Sequence, residues 1–313
     1  MKIFVTRRLP DSVMARARGM GAELHDSDTA LNDTDRAALL RDYDAVVCTL
    51  GDRFSADMFA GDPRCRLIAN FGVGYNHIDA DAAQAAGITV TNTPGVLTDA
   101  TADLAMALML MALRRAGEGE RMVRADAWPG WTPTQMLGQT VTGRTLGIVG
   151  MGRIGQAMAR RAHHGFGMQI LYYNRSAKDL NFPAQRLDTV EDLAAQADVV
   201  AIHAPGGADT RHLFGAAAIA AMKPTGVLIN TSRGDVVDEG ALIEALESGA
   251  IYAAGLDVYE AEPAVPARLR ALDNAVLLPH LGSATLEVRE AMGNMALDNV
   301  EAFVAGRQVP NPV

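Results

Sequence analysis

Short β-like apolar runs alternate with longer helical stretches from one end of this chain to the other. That alternation calls for parallel strands joined by helical crossovers on both faces of a sheet, and it does not suit a β-sandwich. The first set of expected strands is Ile3–Thr6, Ala22–His25, Ala45–Thr49, Leu67–Asn70 and Ile88–Thr91, with helices such as Asp11–Gly19 and Asp79–Ala86 between them. The second set is Thr145–Gly150, Gln169–Tyr173, Val199–His203, Gly226–Asn230, Ala253–Val258 and Ala275–Leu278, with helices such as Ile154–His164 and Glu239–Ser248. A helix over Thr98–Leu113 and a loop carrying Trp128 and Trp131 lie between the two sets. A last helix, Leu286–Ala305, has no strand after it and is expected to return to the first lobe. The fold class is therefore α/β: two Rossmann-like or flavodoxin-like parallel-sheet lobes with an active-site cleft between them. The expected boundaries are 1–97 with 285–313 for one lobe and 98–284 for the other.

Composition agrees and removes several function classes. A chain of 313 residues suits about two domains, and 49% hydrophobic against 21% charged residues is enough to build sizeable cores. The formal net charge of −9 lacks the basic footprint of a nucleic-acid-binding protein. Cys48 and Cys65 are too few for a disulfide framework and have no partner at zinc-ligand spacing, so no metal site is expected and both read as buried core residues. The apolar stretch after Met1 is too short for a signal peptide, and the run Leu104–Leu113 falls short of the ~20 residues of a membrane span. The expectation is a soluble cytoplasmic protein with no membrane partner.

Gly150-Met151-Gly152-Arg153-Ile154-Gly155 fits G-x-G-x-x-G, a weak pattern alone. Here it follows the apolar strand Thr145–Val149 and opens a helix near Arg153, the context that a dinucleotide fingerprint requires. Gly150 would permit the tight turn, Gly152 would let a pyrophosphate approach the backbone, and Gly155 would let helix and sheet lie close. The free N–H groups of the helix N-terminus would face the anion. The next strand ends at Asn174-Arg175-Ser176, where an NAD-binding chain would place an acid for the ribose 2′-hydroxyl. Arg175, with Ser176 as donor, could instead clamp a 2′-phosphate, which points to NADP(H) with NAD(H) still possible. The alternative is that Arg175 is a solvated charge beside an adenine.

Three later blocks sit at or just beyond the carboxyl ends of expected strands, where open α/β sheets place ligands. They are Asn230–Asp238 with Arg233, Gly255–Pro263 with Glu262, and Leu278–Thr285 with His280. An Arg to pair with a carboxylate and polarise a carbonyl, a His to give a proton and a Glu to hold the His would suffice for 2-oxoacid reduction beside a nicotinamide.

These blocks, in this order and together with the glycine turn, resemble the D-2-hydroxyacid dehydrogenase family over nearly the whole chain. The segment Trp128…Trp131-Thr132-Pro133…Leu137-Gly138 makes the glyoxylate/hydroxypyruvate reductase branch the nearest resemblance, and Asn174 in place of an acid fits a branch with NADPH-preferring members. The resemblance implies that Arg233, Glu262 and His280 are catalytic. It implies substrate contacts from Leu50, Gly51, Gly72, Val73 and Gly74 as well as Arg233 and His280, with Asn70–Gly74 holding the carboxylate through backbone N–H groups. It implies cofactor contacts from Thr101, Gly150, Met151, Gly152, Arg153, Ile154, Gly155, Asn174, Arg175, Ser176, His203, Ala204, Pro205, Thr231, Ser232, Asp257 and Gly282. It makes 98–284 the dinucleotide-binding domain and the other lobe the substrate-binding domain.

His163 and His164 sit near a helix end, and His25, His77 and His212 show no partner in the sequence. His203 reads equally as a packed ring or as a hydrogen-bonding partner of the cofactor. Two tryptophans in a Pro/Gly-rich loop need a cover, and with the resemblance this suggests a homodimer, one Trp reaching a neighbour's active site. Met106, Met109 and Met111 could pack at that interface or in a core. The expected activity is NAD(P)H-dependent reduction of a small 2-oxoacid. The alternatives are another D-2-hydroxyacid, phosphoglycerate, formate or phosphite dehydrogenase on this scaffold, or a non-enzymatic, cofactor-sensing corepressor-like binder.

Overall fold

Aliphatic runs long enough to be covered on both faces, separated by helices too long for hairpin turns, give two all-parallel sheets in the computed structural model, which describes residues 1–313. The chain divides into two compact units, 1–97 with 284–313 and 98–283.

The first unit holds β1 (Ile3–Val5), α1 (Asp11–Gly19), β2 (Glu23–Leu24), α2 (Asp33–Asp42), β3 (Ala45–Thr49), β4 (Leu67–Phe71), α3 (Ala80–Ala85) and β5 (Thr89–Thr91). The strand order β2-β1-β3-β4-β5 is flavodoxin-like, with its switch point between β1 and β3. All five residues of β4 are buried, as befits a parallel strand covered on both faces. Cys48 and Cys65 are buried free thiols in the core of this unit.

The second unit begins with α4 (Thr98–Leu113) and α5 (Ala116–Arg124). Then come β6 (Thr145–Val149), α6 (Arg153–Phe166), β7 (Gln169–Tyr173), β8 (Gln185–Arg186), α7 (Val190–Gln196), β9 (Val199–Ile202), α8 (Ala216–Ala221), β10 (Val227–Asn230), α9 (Glu239–Glu247), β11 (Ala253–Leu256), α10 (Ala267–Arg270) and β12 (Ala275–Leu277). The order β8-β7-β6-β9-β10-β11-β12 reverses direction between β6 and β9, the Rossmann switch point. Met106 and Met109 of α4 are buried in the core. The helix α11 (Leu286–Val304) belongs to the first unit, where Gly293 lets it approach Val13 of α1: a Cβ at 293 would lie 2.6 Å from the valine Cγ atoms.

Two elements were not legible in the sequence. β8 is two exposed residues on the sheet edge, and α5 buries none of its residues. Neither carries an apolar signal. The expected strand Ala253–Val258 stops at Leu256 because Asp257 leaves the sheet to bind the backbone near His280. No helix is long and apolar enough to cross a membrane.

Candidate active site

The three fingerprint glycines answer to three different demands. Gly150 has φ of +96°, and a Cβ there would lie 2.6 Å from the Ala204 amide nitrogen. Gly155 brings α6 against the strand: a Cβ would lie 2.4 Å from the Gly150 carbonyl oxygen. Gly152 meets no protein atom within 4 Å of its Cβ position, so its missing side chain leaves open space rather than relieving a clash. Gly152 also caps α6 without a side-chain hydrogen bond, which leaves the first amides of a 14-residue helix for an anion. Met151 is buried, Ile154 packs on the core and Arg153 is exposed.

At the end of β7 the roles separate. Asn174 accepts from the Met151 N–H at 3.1 Å and donates to the Ser176 carbonyl at 2.9 Å, so it braces the glycine turn with both ends of its amide. Arg175 is exposed and makes no ion pair, and Ser176 is exposed beside it.

Two buried polar atoms on the same sheet edge lack partners: Thr231 Oγ1 after β10 and His203 Nδ1 after β9. The other ring nitrogen of His203 lies 3.2 Å from the Met158 sulfur, and burial pulls its pKa down to about 4, so the ring is neutral. Ser232 bonds Asn230, and Pro205 accepts from the Thr210 hydroxyl at 2.6 Å. The open space over Gly152, the uncapped helix and these two orphaned atoms fit a bound dinucleotide.

The side chains expected to react are set by backbone clasps. The carboxylate of Asp257, fully buried, accepts from the N–H groups of Leu281 at 2.7 Å and Gly282 at 2.8 Å, and its carbonyl accepts from the His280 N–H at 2.9 Å. Thr101 donates to the Gly282 carbonyl at 2.9 Å. This turn holds His280 at a φ of +56°. Burial pushes the Asp257 carboxyl up, against the two amides that favour its charge. The His280 Nδ1 lies 2.8 Å from Glu262 Oε2. A carboxylate only accepts, so Nδ1 donates and Nε2 is the nitrogen available to a reacting oxygen.

Glu262 Oε1 accepts from the Tyr259 N–H at 3.0 Å. Burial alone would raise the Glu262 carboxyl, but the bond and charge of His280, the Tyr259 amide and the charge of Arg233 together hold it below the ordinary carboxylate range. Glu262 thus senses both cationic partners. Arg233 donates to the Ser232 carbonyl at 2.7 Å, and its own carbonyl accepts from Asn230 at 2.9 Å. Burial lowers the Arg233 pKa, while Glu262 and Asp235 oppose that shift.

The expected substrate contacts of the first unit lie at the carboxyl ends of adjacent strands. Leu50, 37% exposed, and Gly51 follow β3. Gly72, Val73 and Gly74 follow β4, where Asn70 donates to the carbonyls of Gly72 at 3.1 Å and Gly74 at 3.0 Å. A cavity of about 390 Å³ lined by Arg115, Glu118, Tyr252 and Asp273 sits at the amino ends of β11 and β12, the opposite edge of the sheet, and takes no part in this site.

Sequence reasoning overlooked Asn230, Asp235, Tyr259 and Glu260. It also left His212 and His25 without partners, whereas His212 bonds Glu260 at 2.6 Å and His25 bonds the Thr29 carbonyl at 3.1 Å. His212 and Glu260 lie 48 positions apart, beyond any local pattern. Asn230 carried a signal, as a polar residue closing a buried strand directly before the arginine block.

A Rossmann-type unit with a glycine cradle and a His–Glu–Arg constellation defines a nicotinamide-dependent dehydrogenase. Residues 106–282 match the NAD binding domain of the D-isomer specific 2-hydroxyacid dehydrogenases. The chain is 44% identical to the glyoxylate reductase of Thermococcus litoralis, with 100% of this chain and 96% of that protein covered. It is 43% identical to the glyoxylate reductase of Korarchaeum cryptofilum, covering 100% and 95%. Among solved structures, the NADPH-dependent glyoxylate/hydroxypyruvate reductase of Sinorhizobium meliloti, in complex with NADP and malonate, superposes with a TM-score of 0.88 at 36% identity over 100% of this chain and 96% of that one. The chain belongs to the D-isomer specific 2-hydroxyacid dehydrogenase family.

Proposed function

We propose that this protein reduces a small 2-oxoacid of the glyoxylate or hydroxypyruvate type to the 2-hydroxyacid, with NADPH preferred to NADH. The observation that carries the reading is the His280–Glu262 pair at 2.8 Å, with the Arg233 charge acting on the same carboxylate. The reduced nicotinamide supplies the hydride. Arg233 holds the substrate carboxylate and draws electron density from the carbonyl oxygen, favouring hydride attack on the adjacent carbon. His280 delivers a proton from Nε2 to the oxygen, so hydride and proton together convert C=O to CH–OH. Glu262 keeps the imidazole oriented by accepting from Nδ1, which leaves Nε2 toward the reacting oxygen.

Residues 98–283 serve as the dinucleotide-binding unit, in which Gly152 and the first amides of α6 would hold the pyrophosphate. Leu50, Gly51 and the Gly72–Gly74 turn serve the substrate. Arg175, exposed and unpaired, supports the NADPH preference. Trp128, Trp131 and Leu137 are 53%, 78% and 66% exposed in one segment, which supports a homodimer through this arm, and sedimentation as a monomer at micromolar concentration would count against it. The two buried free thiols suit the reducing cytoplasm. The test is a panel of 2-oxoacids against both reduced cofactors: highest kcat/KM for glyoxylate or hydroxypyruvate with NADPH supports the reading, and no turnover of any 2-oxoacid overturns it.

A further inference from the structure

Gly234 is the tightest backbone approach in the second unit. A Cβ there would fall 1.9 Å from the Tyr259 carbonyl carbon and 2.3 Å from the Glu260 nitrogen. The turn that carries Arg233 is therefore stacked directly on the turn that carries Glu262, with no side chain between them. Backbone contact alone does not fix how two turns slide past each other, so a lateral tie is needed.

One is present on the far side of Glu260. His212 has φ of +50°, and its ring nitrogen Nε2 lies 2.6 Å from Glu260 Oε1. His212 is itself anchored to the arginine turn: its N–H donates to the Asp235 carbonyl at 2.8 Å, and Phe214 pairs with Val236 and Val237 just beyond. The 212–214 segment thus follows the Arg233 turn, while its imidazole grips the Glu262 turn. Glu239, at the start of α9, faces the same carboxylate: its N–H approaches Glu260 Oε1 at 3.4 Å, and its Oε2 approaches the Glu260 N–H at 3.4 Å. Burial pushes the Glu239 carboxyl up; the Glu260 N–H opposes that rise and the charge of Glu260 adds to it. His212 is the one basic side chain bonded to this pair of acids.

We infer that His212 and Glu260 are positioning residues, a clamp that holds the Glu262 turn in register with the Arg233 turn and so fixes the His280–Glu262 contact. Neither touches the reacting atoms. Small displacements at such a site are costly, since misplacing a reacting group by ~1 Å can lose ~10²-fold in rate. The clamp lies outside the His280–Glu262 contact, so a loss of about 5- to 20-fold is expected.

The inference rests on the proposed reductase reading only for its rate measurement, and the experiment has a second readout. His212→Ala, His212→Gln and Glu260→Gln are compared with wild type for kcat and KM in glyoxylate reduction, for NADPH affinity, and for the downfield imidazole N–H proton of His280 in NMR spectra of the free protein. The expected result is a fall of about 5- to 20-fold in kcat for His212→Ala, with NADPH affinity within about 2-fold, loss of the protected His280 proton through faster exchange, and partial recovery in His212→Gln, whose amide can still donate to Glu260. Glu260→Gln keeps the shape and an acceptor oxygen, and should lie between wild type and His212→Ala. Unchanged kcat and an unchanged His280 proton in folded His212→Ala would overturn the clamp. So would a lower melting temperature with the His280 proton intact, because that is a purely structural role. If wild type reduces no 2-oxoacid but the His280 proton still depends on His212, the clamp stands and the reductase reading fails.

Discussion

Gly152 and Gly155 lie three residues apart in one motif, yet the structure predicts opposite phenotypes for them. An alanine Cβ at 155 would stand 2.4 Å from the Gly150 carbonyl oxygen and 3.0 Å from Ile148 Cγ2, both in the strand and turn that α6 packs against. Backbone cannot yield as a flexible side chain can, so α6 must shift. Overpacking of this kind costs ~1–3 kcal/mol. At ~2–4 °C per kcal/mol for a unit of this size, Gly155→Ala should lower the melting temperature by roughly 2–12 °C. Alanine at 152 meets nothing within 4 Å, at an ordinary φ of −80°. Losing glycine at a helix cap costs at most ~1 kcal/mol, so its melting temperature should fall by no more than roughly 4 °C. Its methyl group would fill the space above the helix amides, so NADPH affinity should drop by at least ~10-fold, about 1.4 kcal/mol. Thermal melts of the free protein and fluorescence titration with NADPH separate the two effects. NADPH bound by Gly152→Ala within 2-fold of wild type would refute the cradle, and a wild-type melt for Gly155→Ala would refute the packing argument.

Arg175→Ala should cost NADPH about 10- to 100-fold in kcat/KM and leave NADH nearly unchanged, because one charge-assisted contact to a 2′-phosphate contributes ~1.5–3 kcal/mol; equal losses would contradict the phosphate clamp. His203 stays neutral down to about pH 4 in the folded protein, while an unfolded histidine takes up a proton near pH 6.5. Stability should therefore fall as pH drops from about 6.5 to about 4 and level off below, by up to about 3 kcal/mol from this residue. Urea unfolding at pH 7 and pH 5 should show a smaller drop for His203→Asn than for wild type. Glu262, held below the ordinary carboxylate range, contributes stability above that range that is lost as pH falls through its depressed pKa.

The parts of the fold that periodicity could reveal were those built on buried runs, such as β4 and β10, and the glycine turn after β6 was legible because strand, glycines and helix are contiguous. What stayed hidden is non-local or apolar-poor. β8 pairs two exposed residues, and nothing in Gln185-Arg186 marks a strand until β7 is beside it. Asn174 read as the neutral remnant of a ribose-binding acid; the fold gives its amide a second task, bracing Met151 across 23 positions. Asp257 read as a cofactor contact; its observed bonds give it a further task as the clasp of the His280 turn, reaching Leu281 24 positions away. The His280–Glu262 pairing was legible only through the order of three blocks. The Gly234 contact with Tyr259 depends on how two turns stack, which no spacing encodes.

Delivery of the proton by His280 in 2-oxoacid reduction is tested by single-turnover loss of NADPH absorbance with glyoxylate for wild type and His280→Ala, alongside NADPH binding. His280→Ala should keep its NADPH affinity, because the glycine cradle and the Asp257 clasp do not use the imidazole, and should reduce glyoxylate ~10²–10⁴-fold more slowly. A His280→Ala protein that reduces glyoxylate within a few-fold of wild type would contradict it.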